Sequence, residues 1–360
     1  MKKVAIIGAG LSGLTAAWQL QQAGIAVVVV EAKATAGGRI KTVTGKRGTP
    51  MEMGATWFGP QHVYLQQCMQ ALQLQRFQQW QGGYALVEAQ GVQELYTMPP
   101  HSEPYFRIAG GTGTLIKALV AAVGEQHIHY QTPIRQITHQ PQGITLTTRQ
   151  GTTYTADAVI LALPPQLAAH QIQFTPPLPS LLWQVMLQTQ TWMNGSIKFA
   201  VEYATPFWKN EQPISSIFSD KGPAVEVYDH TDVTGQYVAL KGFLSPAAQQ
   251  LTDMQRKDAV IQQLVQYFGA PAANYLSYTD AIWWDEYIGC NAEQLRLSPH
   301  QNNGHPLYAQ SYYQQQLWWA GAETAGHYGG YMDGAVEAGY RAANALLAGS
   351  LHAKMADKPV

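Results

Sequence analysis

The chain has 360 residues, and at about 150 residues per domain this length predicts two compact domains or one domain with an inserted lobe. Its 22 basic and 23 acidic residues leave a net charge of −1, which excludes the basic surface that nucleic acid or an anionic membrane requires. Its two cysteines, Cys68 and Cys290, are too far apart in the sequence to indicate a disulfide scaffold or a metal site. No apolar stretch approaches the roughly 20 residues of a membrane span, so we expect a cytoplasmic protein.

The N-terminal segment has the pattern of a strand, a helix and a second strand. Residues 4–7 form a short apolar run, and after a cluster of glycines an alanine-rich stretch at 14–23 ends at Gly24. Residues 27–30 are apolar without alternation, which is typical of a parallel strand covered on both faces. The segment therefore predicts a βαβ unit.

The next elements follow from glycines and from alternation. A helix is predicted between the glycines at 110–113 and Gly124. Residues 144–149 and 152–157 alternate on either side of a Gln-Gly turn and predict a hairpin. Residues 159–163 are continuously apolar and precede two prolines, which predicts a buried strand with an abrupt end.

The middle of the chain has a different, mixed character. Residues 196–203 alternate like a strand, residues 225–244 contain two weaker strand patterns, and residues 254–267 have helical periodicity. Residues 333–347 then return to small side chains and predict a helix that Gly349 ends. We therefore expect a second, mixed domain between the N-terminal and C-terminal segments.

A glycine-rich turn carries the first chemical signal. Gly8, Gly10 and Gly13 form G-x-G-x-x-G between the first predicted strand and helix, and such a turn brings backbone N–H groups against a pyrophosphate. Glu31 ends the next predicted strand, where a carboxylate can accept hydrogen bonds from both ribose hydroxyls. A 2′-phosphate would be repelled there, so the pair predicts a dinucleotide other than NADP.

The segment Gly37-Gly38-Arg39 favours FAD over NAD, because two glycines admit the cofactor and Arg39 offers a positive fork to phosphate oxygens. With this segment the sequence resembles the flavin-containing monoamine oxidase family, which includes polyamine oxidases and L-amino-acid oxidases. In chain order, the similar segments are GAGLSGL at 8–14, Glu31, GGRI at 37–40, MEMGATWFGP at 51–60, the glycines at 110–113, VILALPP at 159–165, TPPLP at 175–179, GSIKFAVEY and PFW between 195 and 208, and AGAETAGHYGGYMDGAVEAGYRAA at 320–343.

The resemblance implies an α/β fold, with a discontinuous, Rossmann-like FAD-binding lobe and a mixed-sheet α+β substrate lobe. The FAD-binding lobe would comprise residues 1–78, 107–170 and 289–350. The substrate lobe would comprise residues 79–106 and 171–288, and residues 351–360 would form a polar tail.

The resemblance also implies a set of FAD-binding residues, with Glu323 at the ribityl chain and the start of the last helix directed at the flavin ring. A helix N-terminus stabilises the negative charge that a flavin acquires on reduction. The implied residues are Gly8, Gly10, Ser12, Gly13, Glu31, Gly38, Arg39, Gly54, Ala55, Thr56, Trp57, Ile134, Glu323, Tyr331 and Met332.

Two residues are candidates for catalysis. Lys198 lies in an apolar predicted strand, where an unpaired ammonium is costly unless it faces a polar cavity or solvent. The resemblance matches it to the family's lysine, which holds a water beside flavin N5. Tyr331 matches one wall of an aromatic pair that sandwiches the amine, and an aromatic face attracts a cation as it approaches.

The second aromatic wall departs from the family pattern. Residues 283–291 contain Cys290, but the aromatic residue that follows the family's flavin-tethering cysteine is absent. We therefore expect non-covalent FAD, because apolar burial is the usual state of a single cysteine. Candidates for the missing wall are Trp57, Trp284, Tyr287 and Tyr308.

A second departure from the family pattern is a missing segment. Family members place a long, mostly helical lobe where this chain has only residues 79–106, which contain glycines, prolines and aromatic residues without a long helical period. We expect a short hairpin and loop there, and an open substrate face. A bulky substrate or a second subunit in a homo-oligomer would then complete the enclosure.

The predicted function is oxidation of a small-molecule amine by FAD. A hydride would pass to flavin N5, and oxygen would reoxidise the flavin and yield hydrogen peroxide. The alternatives are another flavin oxidoreductase with the same nucleotide lobe, of the desaturase or protoporphyrinogen oxidase type, an isomerase that uses reduced flavin, and a non-catalytic FAD-binding protein.

Overall fold

The computed structural model describes residues 3–98, 103–286 and 296–356. The α-helices in this part of the chain are α1 (Leu11–Gln22), α2 (Val63–Ala71), α3 (Gly113–Val123), α4 (Pro165–Gln171), α5 (Ser180–Leu187), α6 (Asp253–Phe268), α7 (Trp283–Glu286) and α8 (Met332–Ala356). In the same ranges, no helix is both long enough and apolar enough to cross a membrane.

The strands form three larger sheets and two small ribbons. In chain order they are β1 (Lys3–Ile7), β2 (Ala26–Val30), β3 (Thr42–Thr44), β4 (Pro50–Glu52), β5 (Arg76–Gln78), β6 (Tyr84–Ala89), β7 (Val92–Thr97), β8 (Phe106–Ile108), β9 (Ile128–His129), β10 (Ile134–Gln140), β11 (Gly143–Thr148), β12 (Thr153–Ala156), β13 (Ala158–Leu161), β14 (Gln173–Thr175), β15 (Ile197–Tyr203), β16 (Ile214–Ser219), β17 (Ala224–Asp229), β18 (Val238–Leu244), β19 (Ser277–Ile282) and β20 (Leu317–Trp319).

A five-stranded parallel sheet, in the order β20-β13-β1-β2-β9, contains the predicted βαβ unit. Its central strands are buried on both faces, which explains their continuous apolar sequences. One face packs against α1, α3 and α8 through residues such as Leu14, Leu119 and Val336. The sequence prediction of this unit is confirmed.

The predicted hairpin forms β11 and β12 of a four-stranded sheet, in the order β12-β11-β10-β14. Strand β14 lies beyond the lobe boundary predicted at residue 170, yet it pairs in parallel with β10. Helix α5 contributes Leu182 and Met186 to the same apolar core as β13 and β20. We therefore propose that the first lobe continues through α5, because β14 pairs with a strand of this lobe and α5 packs into its core.

The middle of the chain forms a seven-stranded mixed sheet, in the order β19-β15-β18-β17-β16-β6-β7. Its two faces differ because side chains alternate along each strand. Phe199 and Val201 of β15 lie on one face, in a core that includes Val260 and Leu264 of α6. Lys198 and its neighbours at every second position lie on the other face.

Residues 79–106 contribute a hairpin, as predicted, formed by antiparallel β6 and β7. Strand β6 extends the seven-stranded sheet by pairing in parallel with β16. The prediction that Gly349 ends the last helix is wrong, because α8 continues to Ala356. The residues after Gly349 are leucine, lysine, alanine and similar helix formers, so a single glycine costs only about 1 kcal/mol without ending the helix.

Candidate active site

A cavity of about 990 Å³ lies between the carboxyl edge of the five-stranded sheet and the face of the seven-stranded sheet that carries Lys198. This volume is at the upper end of the range for small-molecule sites. The strand ends Ile7 and Val30 line one part, and Lys198 and Phe243 line another. Ligands of open α/β sheets bind outside the carboxyl ends of the parallel strands, which is where this cavity lies.

The glycine-rich turn opens directly into the cavity. Gly8, Gly10 and Ser12 line it, and α1 begins there without a side-chain cap on its first N–H groups. Gly13 does not line the cavity and has a packing role instead, since a Cβ atom on it would lie 2.0 Å from the carbonyl oxygen of Gly8. The turn thus presents free backbone donors at the positive end of a helix.

Glu31 lies at the end of β2 beside this turn. Its Oε2 accepts a hydrogen bond from Ala9 N at 2.7 Å, and its Oε1 accepts one from Lys33 N at 2.9 Å. The carboxylate is 9% exposed and lines the cavity. Two backbone donors therefore hold it in a fixed orientation at the position predicted for a ribose contact.

The second glycine segment packs against the first. Gly37 N donates to Ala9 O at 2.9 Å, and the Cα atom of Gly10 lies 3.4 Å from where a Cβ on Gly38 would be. Arg39 lines the cavity and forms a two-point ion pair with Glu323, with N–O distances of 2.5 and 2.9 Å. Glu323 is fully buried behind Arg39 and does not line the cavity, so its assignment to the ribityl chain stays a prediction.

Helix α8 brings its first turn to the cavity. Met332 and Ala335 line it, and Tyr331 immediately precedes the helix. Further along, Gly339 packs on α1, since a Cβ there would lie 2.5 Å from Ser12 O. The small residues of this helix therefore serve the close approach of two backbones as well as the cavity.

Tyr331 belongs to a group of aromatic rings at the edge of the cavity. Its ring stacks on His300 at 5.3 Å and on Trp192 at 6.2 Å, with interplanar angles of 9° and 19°. The ring of His62 lies 5.8 Å from Tyr331 and 4.6 Å from Tyr328. Tyr331 is 39% exposed, so one side of it is accessible from the cavity.

Lys198 extends from β15 into the cavity. It is 4% exposed, its Nζ donates to Gly54 O at 2.7 Å, and it lies 4.8 Å from the centre of the Phe243 ring. Burial lowers the pKa of Lys198 to about 8, against the opposing charges of Glu52 and Glu226. An ammonium with such a pKa exchanges its proton close to neutral pH. Gly54 contacts the site through this carbonyl and does not itself line the cavity.

A second buried lysine lies beside Lys198. Lys241 of β18 donates a hydrogen bond to Thr56 Oγ1, and its Nζ lies 4.4 Å from the centre of the Trp57 ring. Burial, and then the charge of Lys198, lower the pKa of Lys241 well below its usual value. Glu52 lies close enough to favour the charged form of both lysines, while its own pKa is raised by burial.

Most of the predicted FAD-binding residues line this one cavity, together with both predicted catalytic residues. Those lining it are Gly8, Gly10, Ser12, Glu31, Gly38, Arg39, Ala55, Thr56, Trp57, Ile134, Lys198, Tyr331 and Met332. Among the candidates for the second aromatic wall, Trp57 lines the cavity, whereas Trp284 and the buried Tyr308 do not. Tyr287 and Cys290 lie outside the described residues.

Sequence analysis missed several residues of the site. Trp192, His62, Glu226 and Tyr228 line the cavity, and Lys241 lies behind it. Lys241 could have been found, because it lies in an apolar strand as Lys198 does. The other four have no local signal, because strand pairing and loop packing bring them to the cavity.

Comparisons with known proteins agree with this geometry. A family model described as flavin containing amine oxidoreductase matches residues 11–104 and 86–347. Its two matched segments overlap at the β6–β7 hairpin, where the sequence departs from the family pattern. In Dictyostelium discoideum, "Probable flavin-containing monoamine oxidase A" is 24% identical over 458 aligned residues, which cover 98% of this chain and 99% of that protein.

The human amine oxidase [flavin-containing] B is 28% identical over 250 residues, which cover 67% of this chain and 47% of that protein. The aligned part is thus about half of that relative's length. Among solved structures, cyclohexylamine oxidase from Brevibacterium oxydans has a TM-score of 0.83 at 20% identity, covering 98% of this chain and 99% of its own. Putrescine oxidase bound to putrescine has a TM-score of 0.80 at 22% identity, covering 96% and 99%. These likenesses establish the fold.

Proposed function

The chain belongs to the flavin-containing amine oxidoreductase family, and we propose that it oxidises an amine to an imine in the cavity between its two sheets. The cofactor is FAD, as the family implies. Bound there, FAD would accept a hydride from the carbon next to the amine nitrogen and pass two electrons to oxygen, giving hydrogen peroxide. Water then hydrolyses the imine.

The residues of the cavity fit this cofactor. The uncapped N-terminus of α1 supplies N–H donors for a pyrophosphate, and the fixed carboxylate of Glu31 suits a ribose. Gly10 carries no Cβ that would fill the cradle, and its extended backbone leaves the space open. We propose that FAD is held by these contacts without a covalent bond.

The environment of Lys198 is the main support for the proposed chemistry. A buried amine with a pKa of about 8 faces the cavity and hydrogen-bonds a backbone carbonyl. Its positive charge disfavours a second cation beside it, and so favours the neutral, reactive form of the bound amine. We propose that it also holds a water molecule beside the reacting carbon. Tyr331 would attract the amine at the edge of the cavity.

The test measures flavin reduction in the purified holoenzyme by a panel of amines without oxygen, and peroxide when oxygen is admitted. We expect amines to bleach the flavin and peroxide to form in equal amount. Lys198→Met is the matched variant, because methionine keeps the aliphatic stem. A flavin that no amine reduces would leave the desaturase, isomerase and non-catalytic alternatives instead.

A further inference from the structure

A second lysine lies on the same sheet face as Lys198. Lys241 of β18 is directly opposite Ala200 of β15, two residues beyond Lys198. Side chains at every second position of a strand point to one face, and residues opposite each other share that face. Between the two lysines this face carries small side chains, because Ala200, Ala239 and Ala281 belong to one buried cluster. The alanines leave room for two lysine stems side by side.

The amino groups of the two lysines bind the same short segment, residues 54–56. Lys198 Nζ donates a hydrogen bond to Gly54 O at 2.7 Å, and Lys241 Nζ donates one to Thr56 Oγ1. The hydroxyl of Thr56 donates in turn to Gly54 O at 3.1 Å. Three consecutive hydrogen bonds therefore connect the two nitrogen atoms, and they limit the distance between these atoms to about 9 Å.

Both amino groups are shielded from solvent. Lys198 is 4% exposed and Lys241 is fully buried. The ring of Phe243 lies 4.8 Å from Lys198 Nζ, and the ring of Trp57 lies 4.4 Å from Lys241 Nζ. Like charges repel each other more strongly in such surroundings than in water. Two groups that share a site of this kind therefore carry one charge far more readily than two.

The neighbouring charges also favour a single proton. Glu52 of β4 attracts the charge of both lysines, and Glu226 of β17 attracts that of Lys198. Lys241 is repelled by Lys198 and by Arg107 of β8. Two cations and one carboxylate therefore act on Lys241, and burial raises the pKa of that carboxylate, Glu52. Lys241 is thus the lysine that more readily lacks a proton.

Two further titratable groups near this face add no charge to it. His230 directly follows β17, and burial and the charge of Arg107 lower its pKa well below the usual value. Tyr228 is directly opposite Lys241, and burial raises the pKa of its phenol. Both groups are therefore neutral near pH 7. Burial, and then the charge of Lys198, lower the pKa of Lys241, as expected when Lys198 takes the proton first.

We propose that Lys198 and Lys241 hold one proton between them near neutral pH, and that Lys241 takes up the charge when Lys198 is neutral or removed. One N–H bond breaks at the first nitrogen and one forms at the second, so the charge of the sheet face is conserved. Lys241 acts on the site through Lys198 and is therefore a positioning residue. The consequence for turnover rests on the proposed amine oxidation, whereas the shared proton does not.

The experiment follows individual lysines by NMR in the holoenzyme, labelled with ¹³C at the lysine Cε positions. The signals of the pair are those that disappear in Lys198→Met and in Lys241→Met. In the wild type, we expect the Lys198 signal to titrate near pH 8, where its pKa lies. The Lys241 signal should remain that of a neutral amine down to a clearly lower pH.

Lys198→Met is the variant that tests the coupling, because it removes the like charge beside Lys241. The titration midpoint of Lys241 should then rise by at least about one pH unit, as expected for a charge within about 9 Å in a medium of low dielectric constant. The matched control is Lys117→Met, which removes an exposed lysine of α3 and should leave both midpoints unchanged. If methionine at position 241 disrupts the fold, Lys241→Gln serves for assignment.

Turnover provides a second measurement. A positive charge beside the cavity stabilises the negative charge that FAD would acquire on reduction. Below the midpoint of Lys241, flavin reduction in Lys198→Met should therefore be faster by about threefold or more than in the double variant Lys198→Met/Lys241→Met. Above this midpoint the two rates should converge. A merely structural role of Lys241 would give a difference that does not change with pH.

The outcomes distinguish the shared proton from the proposed function. Two charged lysines in the wild type at pH 7, or a Lys241 midpoint that Lys198→Met does not raise, would overturn the shared proton and leave amine oxidation standing. If no amine reduces the flavin, the proposed function fails, and the NMR titration still decides between one proton and two. One charged lysine in the wild type, with a raised Lys241 midpoint in Lys198→Met, supports the proposal.

Discussion

The two ends of the cavity are built in different ways. At the proposed nucleotide end, the groups that would bind FAD are backbone N–H donors and one carboxylate, and they come from residues 8–39, a short and continuous stretch that lines the cavity. At the substrate end, the groups are side chains from β15, β17 and β18, which meet only through strand register. The proposed nucleotide end therefore depends on small residues that let backbone segments approach each other closely. The substrate end depends on charged side chains that are buried on one face of the seven-stranded sheet.

The largest expected effect is the loss of FAD binding through a substitution at the proposed nucleotide end. Gly10→Val should remove the bound flavin completely, since its side chain would project into the pyrophosphate path. The fold should survive, because the nearest atom to a Cβ at Gly10 lies 4.0 Å away and the backbone there has φ −76°. Absorption spectra and circular dichroism measure both effects. A yellow Gly10→Val protein would contradict the assignment.

Gly13→Val is the contrasting variant, because a Cβ there would collide with Gly8 O at 2.0 Å. It should lose secondary structure or solubility as well as colour. The pair thus separates a glycine kept for the ligand from a glycine kept for packing.

The next effect concerns stability at the substrate end. Burial lowers the pKa of Lys198 to about 8 from an unfolded value of 10.5. Below pH 8 both states carry the proton, so the folded state bears the full cost of the buried charge, about 3 kcal/mol. Allowing for the lost hydrogen bond to Gly54 O, Lys198→Met should raise the free energy of unfolding by about 2 kcal/mol there.

The sign of the pH dependence follows from proton binding. Between pH 8 and 10.5 the unfolded state binds more protons, so the wild type becomes more stable as the pH rises. The advantage of Lys198→Met should therefore shrink across this range. Denaturant unfolding at several pH values measures it, and a constant difference would show that burial of the charge is not its cause.

The same substitution should slow the reaction. Lys198→Met is expected to retain FAD and to slow flavin reduction or its reoxidation by at least about tenfold, which is roughly 1.4 kcal/mol of barrier. Rapid mixing distinguishes the two half-reactions. If Lys198→Met is both more stable and slower than the wild type, Lys198 lowers the stability of the protein and increases its reaction rate. Unchanged rates in both half-reactions would remove Lys198 from the mechanism.

The smallest expected effect concerns the aromatic edge. Tyr331 is 39% exposed, and a cation over an exposed ring gains only about 0.5–1 kcal/mol. Tyr331→Ala should therefore lower kcat/KM for an amine by about two- to fivefold. Tyr331→Phe keeps the ring and should stay near the wild type. A large loss in Tyr331→Phe would instead point to the hydroxyl.

The sequence alone was enough to select the residues of the proposed nucleotide end, most of which line the cavity, because the signals there are local. Gly8, Gly10 and Glu31 are close in the sequence, and each has a conformational or chemical reason that a short window reveals. Several strands with strongly apolar or alternating sequences, such as β1, β2 and β13, were predicted for the same reason. Lys198 stood out because a charge in an apolar strand needs an explanation.

The substrate end needed the structure. Glu226 lies in an alternating strand that would suit any exposed face, and only the pairing of β17 with β18 brings it level with Lys198. Trp192 reaches Tyr331 through a loop whose path no periodicity describes. Strand register and loop packing depend on contacts between residues that are far apart in the sequence. No local pattern in a single sequence therefore reveals them.

The ribbon of β5 and β8 has a consequence for how this chain can change. Phe77 lies directly opposite Arg107, so the polypeptide leaves and re-enters the first lobe at adjacent points. Loop-closure entropy grows only slowly with length once two ends are pinned, and an excursion with neighbouring ends can be exchanged without moving its host. The excursion between them reaches the cavity through residues next to its two ends, such as Trp80 and Tyr105, so a change in its length or sequence can alter that wall of the cavity while the proposed nucleotide end stays as it is.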